Sequence, residues 1–457
     1  MGFRFTTRAG HPTFVDLPWE QPLTDWRSDR LVSPVQGISR HVVRFVAYGP
    51  EVYALKELPG RLAEREYRLL RALADRSVPV VDAVGVATGR TSGGDGDQGG
   101  GDQGGGDQGH GDEGGGDQGQ GADGGAGHRT PLDDVLITHH LQYSLPYRAL
   151  FAQASLSDLW APLLDALAQL LARAHLAGFF WGDCSLSNTL FRRDAGALAA
   201  WLVDAETGEL HPSLSDGQRR HDLAIAEVNV AGELLDLAAA GRHDQGRSDD
   251  EPGPDPAAVA EDLRHRYEAL WDELTRVEVF GAREEWRVDE RVRRLNELGF
   301  DVDELELVDV PAGPAGRAGK PGHHLRLTTR VVEPGHHRRR LLQLTGLDVQ
   351  ENQARRLIND ILGYRAWLEL RSGAPVPEQV GALRWMVEVF EPTLAAVPAE
   401  LRSKLEDAEI FHQILEHRWF MSEGAGTDVG TAAATADYLR GVLPGARDER
   451  TVLTPEE

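Results

Sequence analysis

The sequence predicts an α+β fold, in which a bilobal domain with a β-rich first lobe is followed by a mainly helical C-terminal domain. Two short runs rich in β-branched and aromatic residues, HVVRFVAYG and EVYALKEL, flank Tyr48-Gly49-Pro50, a pattern typical of a β-hairpin. From Ser157 onward, apolar residues recur at three- and four-residue intervals, as they do along one face of an α-helix. Strands that precede a long helical region indicate an α+β fold.

Composition limits the class of protein. A chain of 457 residues is long enough for two domains, with three as the alternative, at ~100 to 200 residues per domain. The apolar fraction of 41% indicates a globular protein, and the formal net charge of -25 argues against nucleic acid as a partner. Neither a signal peptide nor an apolar run of membrane-span length is visible, so we expect a cytoplasmic protein without a membrane span. The single cysteine, Cys184, excludes an intramolecular disulfide and fits a reducing compartment.

Changes in composition predict the domain boundaries. The segment from Ser92 to Gly127 repeats Gly-Gly-Asp-Gln and has almost no apolar residues to bury, so we expect a disordered insert there. Gly241 to Pro256 is rich in Gly, Asp and Pro, which indicates a linker. The predicted organisation is an N-terminal extension at 1–29, a bilobal domain at 30–240 with the insert at 92–128, a linker at 241–256, a mainly α domain at 257–420 and a frayed tail at 421–457.

Local patterns predict the elements in order. A helix is expected over Glu57–Ala74, and the runs VPVVDAVGVA and DDVLITHHLQ are expected to pair as strands with the insert at the tip of their hairpin. Further helices are predicted from Ser157 to Gly178 and from Asp222 to Ala240. Beyond the linker the predicted elements are a helix at 259–279, the strands DELELVDV and HHLRLTTRVV, and helices at 338–371 and 383–415, with Trp367, Trp385 and Trp419 in the core.

Three polar residues form the most informative pattern. The segment WGDCSLSN places Asp183 five residues before Asn188, and the strand-like run AAWLVDAE brings Asp204 sixteen residues further on. Phosphoryl transfer needs a carboxylate that accepts the proton of the attacking hydroxyl, and oxygen ligands that hold Mg²⁺ against the phosphates. The spacing matches the kinase pattern H-R-D-x-x-x-x-N, although Trp181 and Gly182 replace His-Arg. It predicts Asp183 as catalytic base and Asn188 and Asp204 as metal ligands.

An upstream lysine and glutamate match a second part of the kinase pattern. Y-A-L-K ends at Lys56, resembling the V-A-I-K of kinases, and Glu66 follows ten residues later on the predicted helix. Lys56 is predicted to contact the phosphates of ATP and Glu66 to hold Lys56. Glu64 is the alternative partner, because the pattern fixes the helix register only to within a residue or two.

Other kinase signatures are incomplete. A full G-x-G-x-x-G is missing, and Gly37 and Ser39 in SPVQGISRH are the candidates for covering the phosphates. Ala205-Glu206 stands where kinases commonly carry Phe-Gly, and no A-P-E follows Asp204, so the platform that binds peptide substrates in eukaryotic protein kinases is not visible.

Residues 30–240 therefore resemble the lipopolysaccharide-kinase-like branch of the protein kinase superfamily. The C-terminal part resembles the uncharacterised domain attached to that branch in actinobacterial proteins. The resemblance implies a bilobal protein-kinase-like domain, ATP and Mg²⁺ as cofactors, Lys56 as phosphate contact and Asp183 as base. It implies transfer of the γ-phosphate to a hydroxyl acceptor, which is a small molecule, a glycan or a protein. The C-terminal domain is expected to recognise the acceptor, regulate the reaction or bind a partner protein.

The sequence leaves several alternatives open. The incomplete glycine-rich loop and Ala205-Glu206 favour a catalytically silent kinase-like scaffold. The presence of the motif residues Lys56, Asp183, Asn188 and Asp204 opposes it. Transfer of AMP from a reversed nucleotide is a third possibility. Asp183, Asn188 and Asp204 also suit turns and caps. The histidine pairs at 139–140, 323–324 and 336–337 are expected to be structural, because adjacent strand residues point to opposite faces.

Overall fold

The α+β prediction is confirmed by the computed structural model of the chain. The structure describes residues 3–33, 40–92, 130–151, 156–241, 255–276, 278–281, 293–296, 298–310, 324–450 and 454–455. In these ranges a β-rich N-terminal part is followed by helices, with a smaller sheet between two groups of them. None of the helices in the described ranges combines the length and the apolar character that crossing a bilayer requires.

The described N-terminal strands form one antiparallel sheet in the spatial order β1-β5-β6-β4-β3-β2-β15. Its strands are β1 (Arg4–Thr7), β2 (Leu31–Ser33), β3 (Val43–Tyr48), β4 (Glu51–Leu58), β5 (Asp82–Thr88), β6 (Asp134–His139) and β15 (Thr454–Pro455). The predicted N-terminal extension, 1–29, supplies β1 and packs Phe14, Trp19 and Trp26 against the sheet, where all three side chains are buried. These aromatic residues give the sheet a core on the face away from α1 (Leu62–Ala74).

Both predicted hairpins are confirmed. Strands β3 and β4 pair from Val43↔Lys56 to Tyr48↔Glu51, and Gly49 has a φ of 65° that suits a residue without a side chain. Strands β5 and β6 pair antiparallel, and a bridge between Thr91 and Pro131 extends their ladder. The insert between them lies outside the described residues, as does the predicted phosphate cover at Gly37 and Ser39.

The start of the first helix differs from the prediction. Glu57 and Leu58 complete β4, and the chain turns at Pro59-Gly60 before α1 begins at Leu62. The proline cannot donate to a helix and Gly60 has a φ of 60°, so the turn separates strand from helix. Helix α1 buries Leu70 and Leu73 against the sheet.

The helical lobe surrounds the segment that carries the predicted catalytic motif. Its elements are β7 (Leu145–Pro146), α2 (Tyr147–Phe151), α3 (Leu156–Leu176), β8 (Phe179–Phe180), β9 (Thr189–Asp194), β10 (Ala197–Leu202), β11 (Glu209–Leu210), α4 (Asp216–Gly241) and α5 (Pro256–Thr275). Helix α5 packs on α3 and α4 through Leu263 and Tyr267, in the same core as Trp181. The predicted linker at 241–256 therefore leads into a helix of the same core, and the domain boundaries stay predictions.

The remaining residues form a small sheet and a separate group of helices. The sheet has the order β12-β14-β13, from β12 (Glu278–Gly281), β13 (Phe300–Val310) and β14 (His324–Pro334). The C-terminal helical cluster consists of α6 (His336–Thr345), α7 (Glu351–Ser372), α8 (Glu378–Trp385), α9 (Glu391–Ala395), α10 (Asp407–Ala425) and α11 (Thr431–Gly441).

Two expectations for the C-terminal helical cluster are wrong. Trp385 is buried as predicted, but Trp367 and Trp419 are 45% and 58% exposed. The stretch predicted to fray after about residue 421 contains α11, which packs on α10 and buries Tyr438. The weak pattern arises because α11 offers only a few apolar side chains to that contact.

Candidate functional site

A cleft of about 600 Å³ opens between the N-terminal sheet and the helical lobe. Its apolar wall comes from strands of both lobes, including Val43, Ala54, Leu190 and Val203. Its polar end brings together Lys56, Asp183, Asn188 and Asp204, four of the predicted site residues, from β4 and from the segment between β8 and β11. A cleft lined by both apolar and charged side chains suits a ligand with an apolar part and an anionic part.

Lys56 lies at the centre of the polar end. Its Nζ is 2.6 Å from Asp204 Oδ2 and 3.1 Å from Glu66 Oε2. Glu66, and not the alternative Glu64, is therefore the glutamate that contacts Lys56. Burial lowers the pKa of Lys56, but the negative charges of Glu66 and Asp204 outweigh burial and leave the pKa raised. The side chain is held as an ammonium ion that can bind an anion.

Glu66 is fully buried and connects three parts of the site. Besides contacting Lys56, its Oε1 accepts a 3.2 Å hydrogen bond from the backbone N–H of Ala205. Burial and the charge of Asp204 raise the pKa of Glu66 to about 7, although Lys56 opposes the shift. Helix α1 thereby fixes both the lysine and the backbone next to Asp204.

The Asp183 carboxylate is held by two amide side chains. Asn188 Nδ2 donates to Oδ2 at 3.0 Å and to the backbone carbonyl of Asp183 at 3.0 Å, and Asn229 Nδ2 donates to Oδ1 at 3.0 Å. Arg40 Nη2 reaches Oδ2 at 3.1 Å from the opposite lobe. Each oxygen of Asp183 therefore has a fixed donor, which orients the carboxylate in the cleft.

A buried carboxylate on α4 supports the loop beneath Asp183. Asp222 is 0% exposed and accepts hydrogen bonds from the backbone N–H groups of Trp181, at 2.6 Å, and Gly182, at 2.8 Å. His175 Nε2 lies 3.1 Å from the same carboxylate and its Nδ1 lies 2.6 Å from the hydroxyl of Tyr267. Burial lowers the pKa of His175, so a neutral ring donates from Nε2 to Asp222 and accepts from Tyr267.

Trp181 replaces the usual histidine of the motif and makes a defined contact. Its ring is fully buried, and its Nε1 donates a 2.9 Å hydrogen bond to the backbone carbonyl of Asp204. The hydroxyl of Thr207 donates back to the carbonyl of Trp181 at 2.9 Å. The loop that carries Asp183 and the segment that carries Asp204 are thus joined through this residue.

The acidic residues of the cleft fit a divalent cation. Glu66, Asp204 and Glu206 each present a carboxylate oxygen, and the three oxygens lie within 4.8 Å of one another. Hard cations such as Mg²⁺ prefer oxygen ligands of this kind. Glu206 also lies 2.9 Å from His41 Nε2 and 3.5 Å from Lys56 Nζ, so the Lys56 ammonium partly balances the charge of the cluster.

Sequence reasoning missed the contribution of α4 and of Glu206. Asp222, Asn229 and Glu233 contact the segment that carries Asp183 from one face of α4, and Glu233 accepts from the backbone N–H groups of Leu186 and Ser187. Their spacing of seven and four residues places polar groups on one helical face, which was the available signal. Cys184 is fully buried, and burial raises the pKa of its thiol.

Comparison with known proteins places part of the chain in context. Residues 269–443 match the family model described as a domain of unknown function, DUF4032. This agrees with the expected uncharacterised domain in the C-terminal part. Among curated proteins no match is found.

Two solved structures resemble the chain weakly. The structure described as WaaP in complex with acyl carrier protein shares 16% identity, covering 52% of this chain and 90% of that chain, with a TM-score of 0.28. An aminoglycoside-3'-phosphotransferase of type VIII shares 14% identity, covering 52% of this chain and 93% of that chain, with a TM-score of 0.27. At these TM-scores, function has to be inferred from the cleft itself.

Proposed function

We propose that this protein is an ATP- and Mg²⁺-dependent phosphotransferase that moves the γ-phosphate of ATP to a hydroxyl group. The observation that carries the proposal is the Lys56 ammonium, held between Glu66 and Asp204 at the end of an apolar cleft that Asp183 also lines. A largely buried cation in a partly apolar cleft favours an anionic ligand with an apolar base, such as a nucleotide.

Each polar residue has a proposed role. The acceptor oxygen attacks the γ-phosphorus, the bond from that phosphorus to the bridging oxygen breaks, ADP leaves, and the acceptor's proton passes to Asp183. Asn188 and Asn229 keep both oxygens of Asp183 oriented for that proton. Lys56 binds phosphate oxygens, and Glu66 restrains Lys56.

Asn188 and Asp204, with Glu206 as a further carboxylate, are the proposed ligands of Mg²⁺. When bound, the cation would neutralise phosphate charge that Lys56 alone cannot balance. The Nδ2 of Asn188 faces Asp183, which leaves its amide oxygen as the group that could serve as a ligand. Gly37 and Ser39 stay proposed phosphate contacts.

The acceptor is proposed only by class. A small molecule, a glycan or a protein hydroxyl suits the chemistry, and the C-terminal part remains a candidate for binding a partner protein. Use of ATP places the proposed activity in the cytoplasm. We keep nucleic acid out of the proposal because the chain carries a net charge of -25.

The experiment follows the label of ATP. The full chain is incubated with Mg²⁺ and ATP labelled at either the α- or the γ-phosphate, first with water as acceptor and then with panels of hydroxylated small molecules, glycans and proteins. Transfer or release of γ-label alone, lost in Lys56→Met, supports the proposal. Transfer of α-label identifies AMP transfer instead.

A silent scaffold gives a third result. Mg-ATP then raises the melting temperature, because a ligand that binds only the folded state stabilises it, yet neither label moves. Asp75→Asn serves as control, since the Asp75 side chain is 70% exposed and its ion pair among the described residues is a 3.8 Å contact with Arg71. It should behave as wild type in both assays.

A further inference from the structure

The β9–β10 hairpin links the two halves of the proposed metal site. Strand β9 begins directly after Asn188, and β10 ends two residues before Asp204. The strands pair without interruption from Thr189↔Leu202 to Asp194↔Ala197. Because hydrogen bonds tie the two strands together along this ladder, we expect a displaced tip to shift both of its ends.

The tip of this hairpin docks on the N-terminus of α7. Asp194 is 2% exposed, and its Oδ1 accepts a 2.7 Å hydrogen bond from the backbone N–H of Gln353. Its Oδ2 accepts from the backbone N–H of Asn352, at 3.1 Å, and from Asn352 Nδ2, at 3.0 Å. The first N–H groups of a helix have no partner within the helix and favour negative charge. Asp194 thus caps a helix that lies more than 150 residues further along the chain.

Side chains of the C-terminal helical cluster also hold the backbone of the tip. Gln353 Nε2 donates to the carbonyl of Arg193 at 3.1 Å and to Glu409 Oε2 at 3.2 Å. Glu409 Oε2 in turn accepts a 3.1 Å hydrogen bond from the backbone N–H of Ala195. Ala195 has a φ of 52°, which is unfavourable for a residue with a side chain, so the contacts maintain a conformation that the tip would not adopt freely.

Two ion pairs surround this contact. Arg192 Nη2 lies 2.7 Å from Glu406 Oε1, and Arg193 Nε lies 2.7 Å from Glu449 Oε1. Glu406 precedes α10, and Glu449 follows α11, so both flanks of the C-terminal helical cluster take part. The three residues before Ala195 are therefore each bound by that cluster or its flanks.

We infer that the C-terminal helical cluster positions the proposed metal-binding segment through the β9–β10 hairpin, with Asp194 as the positioning residue. The inference rests on the proposed function and gives a role to the region matched as a domain of unknown function, which contains Asn352, Gln353 and Glu409. The cluster then acts on the reaction without contacting nucleotide: it fixes the tip, the ladder transmits that constraint, and Asn188 and Asp204 keep their separation.

The test combines hydrogen exchange with metal binding in the full chain. Asp194→Ala leaves the N–H groups of Asn352 and Gln353 without their acceptor, and Asn352→Ala is the milder variant because it removes only the side-chain donor. In both, exchange should rise throughout peptides covering 188–206, while peptides from 222–234 of α4 stay protected. Mn²⁺ affinity in the presence of ATP should fall about 10-fold in Asp194→Ala and less in Asn352→Ala.

Asp428→Asn provides the matched control. It removes a carboxylate that Arg418 binds in the same helical cluster, and no side-chain hydrogen bond or ion pair joins Asp428 to the hairpin among the described residues. It should lower the melting temperature without changing exchange at 188–206 or Mn²⁺ affinity. Faster exchange confined to the tip and to the start of α7, with unchanged Mn²⁺ affinity in folded Asp194→Ala and Asn352→Ala, would overturn the inference.

Failure of the proposed function gives a different result. If wild type binds neither Mn²⁺ nor ATP, the phosphotransferase proposal fails, whereas exchange at 188–206 still reports whether the hairpin couples the two regions. If wild type binds both and the Asp194→Ala and Asn352→Ala variants behave as wild type, only the positioning role fails.

Discussion

Trp181 donates its indole N–H to the backbone carbonyl of Asp204 at 2.9 Å. This contact joins the loop that bears the proposed base to the segment that bears the proposed metal ligand. From the sequence, the tryptophan is a departure from the kinase pattern. In the structure Trp181 supplies a buried N–H donor. A histidine ring could also supply an N–H there, whereas an apolar ring could not.

Trp181→Phe should therefore destabilise the protein by about 2 to 4 kcal/mol, because it leaves a smaller ring in the core and a carbonyl without its donor. Trp181→Phe should also weaken binding of Mg²⁺ and ATP, because Asp204 loses a contact that positions it. Trp181→His keeps a ring N–H and should recover part of that binding. Chemical denaturation and calorimetry measure the two effects. Equal binding by the Phe and His variants would show that the hydrogen bond does not position Asp204.

Removing the carboxylate under the loop that carries Asp183 should also lower the free energy of unfolding. Asp222→Ala leaves two backbone N–H groups and the ring of His175 without their acceptor in a fully buried site, at a cost of about 3 kcal/mol or more. Urea unfolding measures the loss, and Asp216→Asn, whose side chain is 81% exposed, should change stability by less than about 0.5 kcal/mol. Similar stability for the two variants would contradict the supporting role of Asp222.

The helical pattern of the sequence predicted α4 but not its function. Polar residues on a helix usually mark a solvated face, and the sequence places Asp222, Asn229 and Glu233 on such a face. They find hydrogen-bond partners because that face packs under the loop that carries Asp183. Lys56, Glu66, Asp183, Asn188 and Asp204 could be selected because their order and spacing are tied to particular elements.

Asp194 illustrates a different limit. An aspartate before Ala195-Gly196 is typical of a turn, and no local pattern indicates that its carboxylate caps a helix more than 150 residues away. The hairpins were predictable because β-branched runs and turn residues act locally. The docking of the hairpin on α7 is a tertiary contact between segments that carry no shared sequence signal.

Stability should depend on pH through Glu66. Its pKa in the folded protein is raised to about 7 from an ordinary value of 4.5, first by burial and then by the charge of Asp204. A raised pKa means that the folded state binds more protons, so wild type loses this stability as pH rises from about 4.5 to 7. Glu66→Gln cannot ionise, so the free energy of unfolding of wild type minus that of the variant should fall over that range.

Urea unfolding at pH 5, 6, 7 and 8 checks this sign. If the free energy of unfolding of wild type minus that of Glu66→Gln rises with pH, attraction to Lys56 outweighs burial and the carboxylate is stabilised in its charged form.

Glu206 should contribute to cation binding. Because its carboxylate lies with Asp204 and Glu66 in one oxygen cluster, Glu206→Gln should raise the Mg²⁺ concentration needed for half-maximal thermal stabilisation by ATP about 10-fold. Glu209→Gln is the control, since the Glu209 side chain is 63% exposed and, within the part of the chain that the structure describes, pairs with His211 at a distance of 3.4 Å. An unchanged Mg²⁺ requirement in Glu206→Gln would mean that Glu206 contacts His41 and Lys56 but does not help to bind the cation.

The turnover of Asp183→Asn tests the central claim most directly. The amide keeps the size of the carboxylate but cannot accept the proton of the acceptor, and general-base catalysis typically contributes about 10²- to 10⁴-fold. At saturating Mg-ATP, single-turnover release of ADP should therefore fall at least about 100-fold, while calorimetry finds nucleotide affinity within about 3-fold of wild type. Wild-type turnover retained by a folded, nucleotide-binding Asp183→Asn protein would contradict the account.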